Sequence, residues 1–261
     1  MSFLPCGLTT LLTDLGLGDP SIGIVKGVMI SRFAQLKIVD LCHHVPRHDV
    51  VWAAYVLAGS YRNFPPGTVH CAIVAAGGSK HDDILVADHG GHVFVALDNG
   101  ILTQVLEDRG VVYRVDLSRV PVAPVRRTLH TRDIVAPIGA LLASGKLAVE
   151  DCGPEEPDPK RIRTWPTKAD GDTIDGVVVG EDRFGNLFTT LSEQDVPVEG
   201  DYALEVAGRT VNLVSGYGEA ESGEALALFN GFGMLEIAIR DGKASTDFEW
   251  ERGTAIRVRL R

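Results

Sequence analysis

Strand-like and helix-like segments alternate along the first half of the chain, and this alternation restricts the fold more than any other feature of the sequence. The apolar segment LTTLL ends at Thr13 and Asp14, and Asp19 followed by Pro20 then predicts a helix over residues 20–33 with Asp19 as its N-cap. Segments that alternate in this way predict an α/β layer, in which helices cover a sheet.

The same pattern continues through further strands and helices. LKIVDL predicts a second buried strand, TVHCAIV predicts a third, and Asp49 between them predicts the start of a helix. DILVAD and HVFVAL flank a His-Gly-Gly-His turn, which predicts a β-hairpin. A third helix is predicted from Asp133 towards Ser144, with Gly145 as its C-terminal stop.

The sequence changes character between Asp151 and Asp172. PEEPDPKRIRTWP holds four prolines and dense charge, which is typical of a linker. Short β-rich runs follow it and predict a small barrel or sandwich, namely IDGVVV, NLFTTL, YALEV, RTVNLV, MLEIAI and AIRVRL. We therefore predict an α/β N-terminal domain over residues 1–152, a linker over 153–172 and a smaller all-β, barrel-like C-terminal domain over 173–261.

The composition argues against a membrane protein and against a nucleic-acid-binding protein. Apolar residues form 45% of the chain, but no stretch approaches the roughly 20 uninterrupted apolar residues of a membrane span. The net charge of −10 argues against a nucleic-acid partner, since RRTLHTR is the only short basic cluster. The four cysteines are scattered, which favours free thiols over disulfides, and the start MSFLPCG lacks signal-peptide features. The expected location is the cytoplasm.

Polar residues follow several predicted strands of the first domain. Thr13 and Asp14 end the first strand, His43 and His44 follow the second, and the AAGGS segment at residues 75–79 follows the third. Asp98 and Asn99 lie in the segment LDNG. Ligands of open α/β sheets gather beyond the carboxyl ends of the strands, so these residues are candidates for a binding site. A strand-end Asp is equally common as a helix cap or a turn former.

Two other chemistries find little support. The histidines at positions 43, 44 and 48 lie on a strand-to-helix turn without a carboxylate pattern to complete a metal site, so we expect no metal and no cofactor. GGSKHDD contains glycines but lacks the GxxxxGK[ST] motif of nucleotide triphosphate hydrolysis, and the chain has no GxGxxG dinucleotide motif.

In the second domain, EDRFGNLFTT places Asp182, Phe184 and Asn186 together at a turn that enters a strand. A carboxylate, an aromatic face and an amide form a set suited to an amino group and a purine, although an ordinary β-turn explains the same residues. Arg240 and Gly242 follow MLEIAI, where a solvated hairpin is the alternative interpretation.

Taken together, seven segments resemble the S-adenosylmethionine hydroxide adenosyltransferases and their fluorinating and chlorinating relatives, over nearly the whole chain. In chain order they are LLTDLGLGDPSIGIVKGVM, KIVDLCHHVPRHDV, FPPGTVHCAIV, FVALDNGIL, LHTRDIVAPIGALLASG, EDRFGNLFTT and GMLEIAIRDGKA. The resemblance implies displacement at the ribose C5′ of S-adenosylmethionine, without a metal. It also implies a homotrimer, in which the ligand binds between one subunit's N-terminal domain and a neighbour's C-terminal domain.

The resemblance also implies roles for individual residues. Asp14 would hold the ribose hydroxyls, Ser21 would lie near the methionine end, and His48 would lie against the sugar. Asp182 would bind the methionine amino group. The remaining implied contacts surround the adenine, namely Phe184, Asn186, Arg240 and the backbone around Gly242. Asp98 and Asn99, by their strand-end position, and Thr131, as the hydroxyl after His130, are further candidate ligand contacts.

The sequence departs from the family at the loop after the third strand. The hydrolytic members carry an Asp–Arg–His set, whereas this chain has Ala75 in place of the Asp and offers His81 or Asp82 near the expected Arg. His130 in LHTRDI matches the family's His, so His130 and His81 are the candidate catalytic residues. Ala75 removes a negative charge and its hydrogen-bond acceptors, which weakens the usual means of holding a water molecule.

Three hypotheses follow. The first is an enzyme that hydrolyses S-adenosylmethionine to adenosine and methionine. The second is a binding protein that keeps the pocket but has lost catalysis, as Ala75 suggests. The third is adenosyl transfer to another nucleophile such as halide, although the AAGG loop lacks the aromatic and threonine residues of the halogenating relatives.

Overall fold

The structure is a computed structural model that describes residues 3–74, 83–106, 110–122, 130–165, 167–196 and 202–260. The chain forms two compact units, Met1–Ile162 and Arg163–Arg261. The division between them lies inside the segment predicted as a linker, residues 153–172. No helix in the described ranges combines the length and the apolar character that crossing a membrane requires.

The first unit is built on a sheet whose order, within the described residues, is β2-β1-β3-β5-β4-β6. Its strands are β1 Leu8–Thr13, β2 Lys37–Cys42, β3 Val69–Ile73, β4 Ile84–His89, β5 His92–Leu97 and β6 Val111–Arg114. Strands β2, β1, β3 and β5 are parallel, and β4 is antiparallel to both β5 and β6. The parallel strands therefore end at one edge, and the predicted β4–β5 hairpin is confirmed.

The three predicted helices of this unit are present, and a short helix, which was not predicted, lies between the second and the third. In chain order they are α1 Ser21–Arg32, α2 Val50–Ser60, the short α3 Thr103–Leu106 and α4 Ala136–Ala143, which continues from a π-helical turn over Thr131–Val135. Asp49 is the N-cap of α2, and its carboxylate accepts the Trp52 N–H at 2.9 Å. Pro20 rather than Asp19 is the N-cap of α1, but the Asp19 carboxylate accepts the Ser21 N–H at 2.8 Å. Gly145 ends the last helix with a φ of +70°.

The prediction that β2 is buried is wrong. None of its residues is fully buried, and Val39 is 39% exposed. The strand order explains this result, because β2 lies at the end of the sheet and pairs with β1 alone in the described part of the chain. An apolar run shows that a segment is extended, but it does not show how many strands flank it.

The centre of the unit is a close-packed apolar core. Leu11 of β1, Ile73 of β3 and Val95 of β5 pack with Ile138 and Leu142 of α4. Gly139 of α4 lies so near the sheet that a Cβ there would come 2.6 Å from the Cys71 Sγ atom. Glycine at this position therefore permits the close approach of α4 to the sheet.

Buried polar side chains on three neighbouring strands of this sheet bind one another. His70 of β3 pairs through Nδ1 with the Thr10 hydroxyl at 2.8 Å and through Nε2 with His92 Nδ1 at 3.1 Å, and its ring stacks on Phe94. Burial, together with the smaller effect of the neighbouring His92, lowers the pKa of His70 to about 3. His70 is therefore neutral in the folded protein at ordinary pH.

The second unit is a β-barrel, which decides between the two predicted architectures. Its strands are β7 Lys168–Asp170, β8 Thr173–Glu181, β9 Leu187–Ser192, β10 Tyr202–Val206, β11 Arg209–Leu213, β12 Ala225–Phe229, β13 Met234–Ile239 and β14 Ala255–Leu260, and a short helix α5 spans Ala244–Asp247. The order is β14-β10-β11-β12-β13-β9-β8-β7, and β14 also pairs with β8. That second pairing closes the seven strands from β8 to β14 into a barrel, with β7 outside the closure.

Strand β12 is missing from the predicted set. Its sequence, ALALF, is rich in alanine and leucine, which favour helices over strands. The segment is extended because it pairs antiparallel with β13 and parallel with β11. These long-range partners outweigh its local preference.

Candidate functional site

Asp14 follows β1 and holds the loop that follows β2. Its side chain is 7% exposed, and its Oδ2 atom accepts the His48 N–H at 2.9 Å. The Nδ1 atom of His48 lies 3.9 Å from the same oxygen. His48 has a φ of +61°, in the left-handed region that non-glycine residues rarely adopt. The contact with Asp14 stabilises this strained conformation, so the structure brings these two predicted site residues together.

A chain of side-chain contacts supports the turn around Asp14. The hydroxyl of Thr13 and Nδ1 of the buried His43 lie 2.9 Å apart, and the other ring nitrogen of His43 lies 3.0 Å from the Asp40 carboxylate. Lys26 binds the second oxygen of Asp40 at 2.6 Å. Partial burial raises the pKa of Asp40, but the hydrogen bonds from Lys26 and His43 outweigh it and leave that pKa below its usual value.

The role of Asp40 was missed in the sequence because the residue lies inside the apolar run LKIVDL. The carboxylate within that run was the available signal, since a buried strand rarely carries one. The backbone completes the arrangement, because the Gly16 N–H donates to the His43 carbonyl at 2.7 Å. The residues after β1 are thus fixed by contacts from the end of β2 as well as by their own strand.

Asp98 and Asn99 follow β5 and bind neighbouring loops. The two oxygens of Asp98 accept the Lys160 N–H at 2.8 Å and the Arg114 guanidinium at 3.0 Å. The Asn99 side chain donates to the Val74 carbonyl at 2.9 Å and accepts the Ile101 N–H at 3.2 Å. These contacts account for both side chains within the fold, and their predicted contact with a ligand stays a prediction.

The remaining candidates of the first unit lie on two other segments. Ser21 is the first residue of α1, where its N–H is bound by Asp19. His130 directly precedes the π-helical turn and is partly buried, and the adjacent Thr131 is buried. His81, Asp82 and Ala75 lie outside the described residues.

In the barrel, five of the predicted residues line one cavity of about 660 Å³. The cavity is lined by Asp182, Arg183, Phe184, Asn186, Tyr217, Ile239, Arg240, Asp241, Gly242 and Lys243. Its volume is within the range of ordinary small-molecule sites. Two turns that are distant in sequence, after β8 and after β13, therefore meet around one space.

The turn after β8 is built by Asp182. Its Oδ1 atom accepts the N–H groups of Phe184 at 2.8 Å and of Asn186 at 3.0 Å, and Oδ2 accepts the Asn186 side-chain amide at 3.1 Å. The alternative interpretation as a turn former is therefore correct for the backbone. Phe184 nevertheless remains 66% exposed beside the cavity. An exposed aromatic ring on a cavity rim is typical of a binding surface.

The turn after β13 supplies a guanidinium and an open stretch of backbone. Arg240 donates through Nη1 to the carbonyl oxygens of Tyr217 at 2.8 Å and of Ala220 at 3.3 Å. A Cβ at Gly242 would come 2.5 Å from Cγ2 of Ile239, so a larger residue there would disturb the cavity wall. Asp241 between them has a φ of +58°.

Tyr217 is a cavity residue that the sequence interpretation missed. It lies in the segment SGYGE between two glycines, and its hydroxyl donates to the buried Glu236 at 2.5 Å. An aromatic residue between glycines was the only signal of an exposed ring. Burial raises the pKa of Tyr217, and the bond to the Glu236 carboxylate raises it further.

A second cavity of about 590 Å³ lies elsewhere on the barrel, beside Trp165. It contains the ion pair between Asp175 and Arg257, whose two hydrogen bonds measure 2.7 and 2.9 Å. This guanidinium is therefore already bound to a carboxylate, and none of the predicted site residues lines this cavity. Across the described residues, no cluster of three or more His, Cys, Asp and Glu side chains could hold a metal ion.

Comparisons with known proteins cover nearly the whole chain. Residues 9–153 match the family model described as the SAM hydroxide adenosyltransferase N-terminal domain, and residues 176–257 match that of the C-terminal domain. An (R)-S-adenosyl-L-methionine hydrolase from Thermus thermophilus is 34% identical, over 95% of this chain and 97% of the relative. A fluorinase from Actinopolyspora mzabensis is 26% identical, over 96% of both chains.

A solved structure agrees with this assignment. The crystal structure of an uncharacterized conserved protein from Thermotoga maritima superimposes with a TM-score of 0.88 at 28% identity, over 97% of this chain and all of that one. The predicted resemblance is thus confirmed by sequence and by fold. This chain belongs to the S-adenosylmethionine hydroxide adenosyltransferase family.

Proposed function

We propose that this protein hydrolyses S-adenosylmethionine to adenosine and methionine by displacement at the ribose C5′. The observation that carries the proposal is the barrel cavity, where an exposed aromatic ring, a carboxylate, an amide and a guanidinium surround one space of about 660 Å³. The similarity to hydrolases, at 34% identity for the Thermus thermophilus relative, exceeds the 26% for the Actinopolyspora mzabensis fluorinase. Hydrolysis is therefore better supported than halogenation.

The chemistry follows from the substrate. The sulfonium is a good leaving group, so displacement at C5′ requires no acid to activate it. Water attacks C5′, the C5′–S bond breaks, its electron pair stays on sulfur, and the water loses one proton. The protein needs to align the water with the C5′–S bond and to limit its solvation. No metal or cofactor is part of this proposal.

The proposed contacts follow the resemblance and the charges of the site. Asp14 binds the ribose hydroxyls, with His48 against the sugar and Ser21 towards the methionine. Asp182 binds the methionine amino group, while Phe184, Asn186, Arg240 and the backbone at Gly242 surround the adenine. Asp98, Asn99 and Thr131 complete the pocket. The carboxylates and the net charge of −10 favour a cationic substrate.

Two histidines are the candidates for activating the attacking water. Ala75 stands where hydrolytic relatives carry an Asp, so activation falls to His130, with His81 as the second candidate. A displacement that depends on alignment tolerates the loss of one acceptor, but the rate falls. The same Ala75 favours a second candidate function, a protein that binds S-adenosylmethionine or adenosine without turnover.

The protein is proposed to be a homotrimer in the cytoplasm. A homotrimer with sites shared between subunits is implied by the family, and light scattering should give a mass of three chains. The small-molecule substrate is the expected partner, with neither nucleic acid nor a membrane involved. The four cysteines are free, which is typical of a reducing compartment such as the cytoplasm.

One experiment tests the proposed reaction directly. The protein is incubated with S-adenosylmethionine in H₂¹⁸O, and every adenosyl product is identified by mass spectrometry. Attack at C5′ places the ¹⁸O in the 5′-hydroxyl of adenosine. Labelled adenosine above the uncatalysed background supports hydrolysis, whereas tight binding measured by calorimetry without product supports the binding protein. A 5′-halogenated product that depends on added chloride or fluoride would replace both candidates.

A matched pair of variants tests the role of His130. His130→Asn should reduce the rate of adenosine formation at least about 100-fold, which is the lower end of the usual loss from removing an acid–base group. His44→Asn changes an exposed histidine and should leave the rate unchanged. Equal rates in the two variants would remove His130 from the mechanism while leaving the reaction itself established.

A further inference from the structure

Glu236 is a carboxylate buried in the wall of the barrel. It lies on β13 and is 2% exposed. Its Oε1 accepts the Tyr217 hydroxyl at 2.5 Å, and its Oε2 accepts the Asn230 side-chain amide at 3.2 Å. Both donors are neutral groups within the described part of the chain. A buried carboxylate without a cation is costly to fold around, so its presence needs an explanation.

Tyr217 connects this buried carboxylate to the cavity. The residue lines the cavity, while its hydroxyl points to Glu236. Its backbone carbonyl is bound by Arg240 at 2.8 Å, so the residue is held at its backbone and at the end of its ring. Because the carboxylate accepts the hydrogen bond of the phenol O–H, the hydroxyl stays a donor towards Glu236 and the ring keeps one orientation.

Asn230 holds Glu236 from the other side. Its Oδ1 accepts the N–H groups of Phe232 at 2.9 Å and of Met234 at 3.2 Å, which closes the turn between β12 and β13. With its oxygen used in this way, its amide nitrogen is directed to Glu236. The carboxylate is therefore oriented by the turn on one side and orients a cavity residue on the other.

We propose that Glu236 is a positioning residue for the nucleoside, which it serves by fixing the Tyr217 ring as a rigid wall of the cavity. The inference rests on the proposed function, because it requires a nucleoside in this cavity. A ring that is already oriented binds an aromatic ligand without a further loss of side-chain freedom. Loss of Glu236 therefore raises KM for S-adenosylmethionine and leaves kcat nearly unchanged, since the role proposed for Tyr217 is to bind the nucleoside and not to act on the water or on C5′.

The binding experiment is a double-mutant cycle with adenosine as the probe in calorimetry. Tyr217→Phe keeps the ring and removes the hydroxyl, and Glu236→Leu removes the acceptor. Each should weaken adenosine binding about 5–10-fold, and the double variant should be no weaker than either single variant. Glu236→Gln keeps an acceptor and should restore most of the affinity. Glu221→Gln changes an exposed carboxylate four residues from Tyr217 and serves as the matched control.

A second readout needs no ligand. Tetranitromethane nitrates tyrosine side chains through the phenolate, and peptide mapping gives the rate at Tyr217 relative to Tyr113 in the same chain. The rate at Tyr217 should be low in the wild type and in Glu236→Gln, and several-fold higher in Glu236→Leu. Thermal unfolding shows whether each variant is folded. If Glu236→Leu does not fold, Tyr217→Phe, which changes an exposed residue, provides the binding test in its place.

The outcomes separate the two proposals. Equal adenosine affinity in the wild type, Tyr217→Phe and Glu236→Leu overturns the positioning role and leaves hydrolysis intact. Additive losses in the double variant, or an unchanged nitration rate, also overturn it, because they show two independent structural effects. A wild-type protein that neither binds adenosine nor forms it from S-adenosylmethionine overturns both proposals.

Discussion

The α/β unit and the barrel carry their candidate residues in different ways. In the α/β unit, the Asp14 side chain is 7% exposed and also holds the left-handed backbone of His48. In the barrel, Phe184 is 66% exposed on the rim of the cavity. A side chain that serves both the fold and a ligand cannot be changed without affecting both. An exposed side chain can be changed at the expense of binding alone.

The two units also bury ionisable groups of opposite kinds. His70 in the α/β unit has its pKa lowered to about 3 by burial and by His92. Glu236 in the barrel has its pKa raised by burial, against the lowering effect of the bonds from Tyr217 and Asn230. Acid therefore destabilises the first unit through His70 and stabilises the second through Glu236. The stabilities of the two units should therefore change in opposite directions as the pH falls, which can be measured.

The largest expected effect comes from Asp14→Asn. The carboxylate is proposed to bind two ribose hydroxyls, and hydrogen bonds to a charged group contribute about 1.5–3 kcal/mol each. We therefore expect kcat/KM for adenosine formation to fall at least about 100-fold. Because His48 depends on the same carboxylate, the melting temperature should fall as well. Asp151→Asn, at an exposed carboxylate of the same unit that is not a proposed ligand contact, is the control for both measurements.

Two results of the Asp14→Asn experiment would contradict the dual role of Asp14. If Asp14→Asn lowers the rate but leaves the melting temperature unchanged, the contact with His48 contributes little to the fold. If both quantities stay unchanged, the first unit loses its main proposed ligand contact.

The second prediction concerns acid. An unfolded His with a pKa near 6.5 takes up a proton between pH 7 and 5, whereas folded His70 stays neutral until pH about 3. The unfolded state therefore binds more protons in this range, and its free energy falls relative to the folded state. The free energy of unfolding of the α/β unit should drop by about 2 kcal/mol between pH 7 and 5 from His70 alone.

Tryptophan fluorescence during urea unfolding can follow the two units separately. Trp52 lies in α2, and Trp165 and Trp250 lie in the second unit, so variants that keep Trp52 or Trp250 alone report on one unit each. His70→Gln should remove most of the pH dependence of the Trp52 signal. An equal loss of stability at Trp52 and Trp250 between pH 7 and 5 would remove the contrast between the units.

Local sequence patterns predicted much of the fold. The helix starting after Asp49, the hairpin around Gly90 and Gly91, and the stop at Gly145 depend on a few neighbouring residues, and all three are confirmed. The edge position of β2 and the existence of β12 depend on which strands lie beside them. Neighbouring strands of that kind are distant in sequence, and the local periodicity of apolar residues does not predict them.

The candidate site likewise contains residues that local sequence predicts and residues that depend on distant contacts. Strand-end residues such as Asp14 could be found because parallel strands end at one edge of a sheet. The pair of Tyr217 and Glu236 could not be found, because 19 positions separate the two residues and their contact depends on how the barrel closes. Glu236 lies within the strand-like run MLEIAI, and the sequence of that run does not show that the carboxylate is buried.

The third prediction tests the barrel half of the comparison. Phe184→Ala should weaken adenosine binding about 10-fold, since an aromatic pair contributes about 0.5–1.5 kcal/mol beyond the burial of its area. The free energy of unfolding should change by less than about 0.5 kcal/mol, because the ring is exposed. Phe232→Ala changes another exposed ring of the barrel that does not line the cavity. A loss of stability in Phe184→Ala comparable to that of Asp14→Asn contradicts the proposed difference.

The smallest expected effect lies next to His48. Asp49→Ala removes the N-cap of α2, whose carboxylate accepts the Trp52 N–H at 2.9 Å, and should lower the free energy of unfolding by about 1 kcal/mol. Asp49→Asn keeps the side-chain oxygen and should lower it by much less. Adenosine affinity should stay the same in both variants, because the Asp14 contact to His48 N–H is retained. A parallel loss of affinity in Asp49→Ala would mean that the whole turn between β2 and α2, and not Asp14 alone, serves the fold and the ligand together.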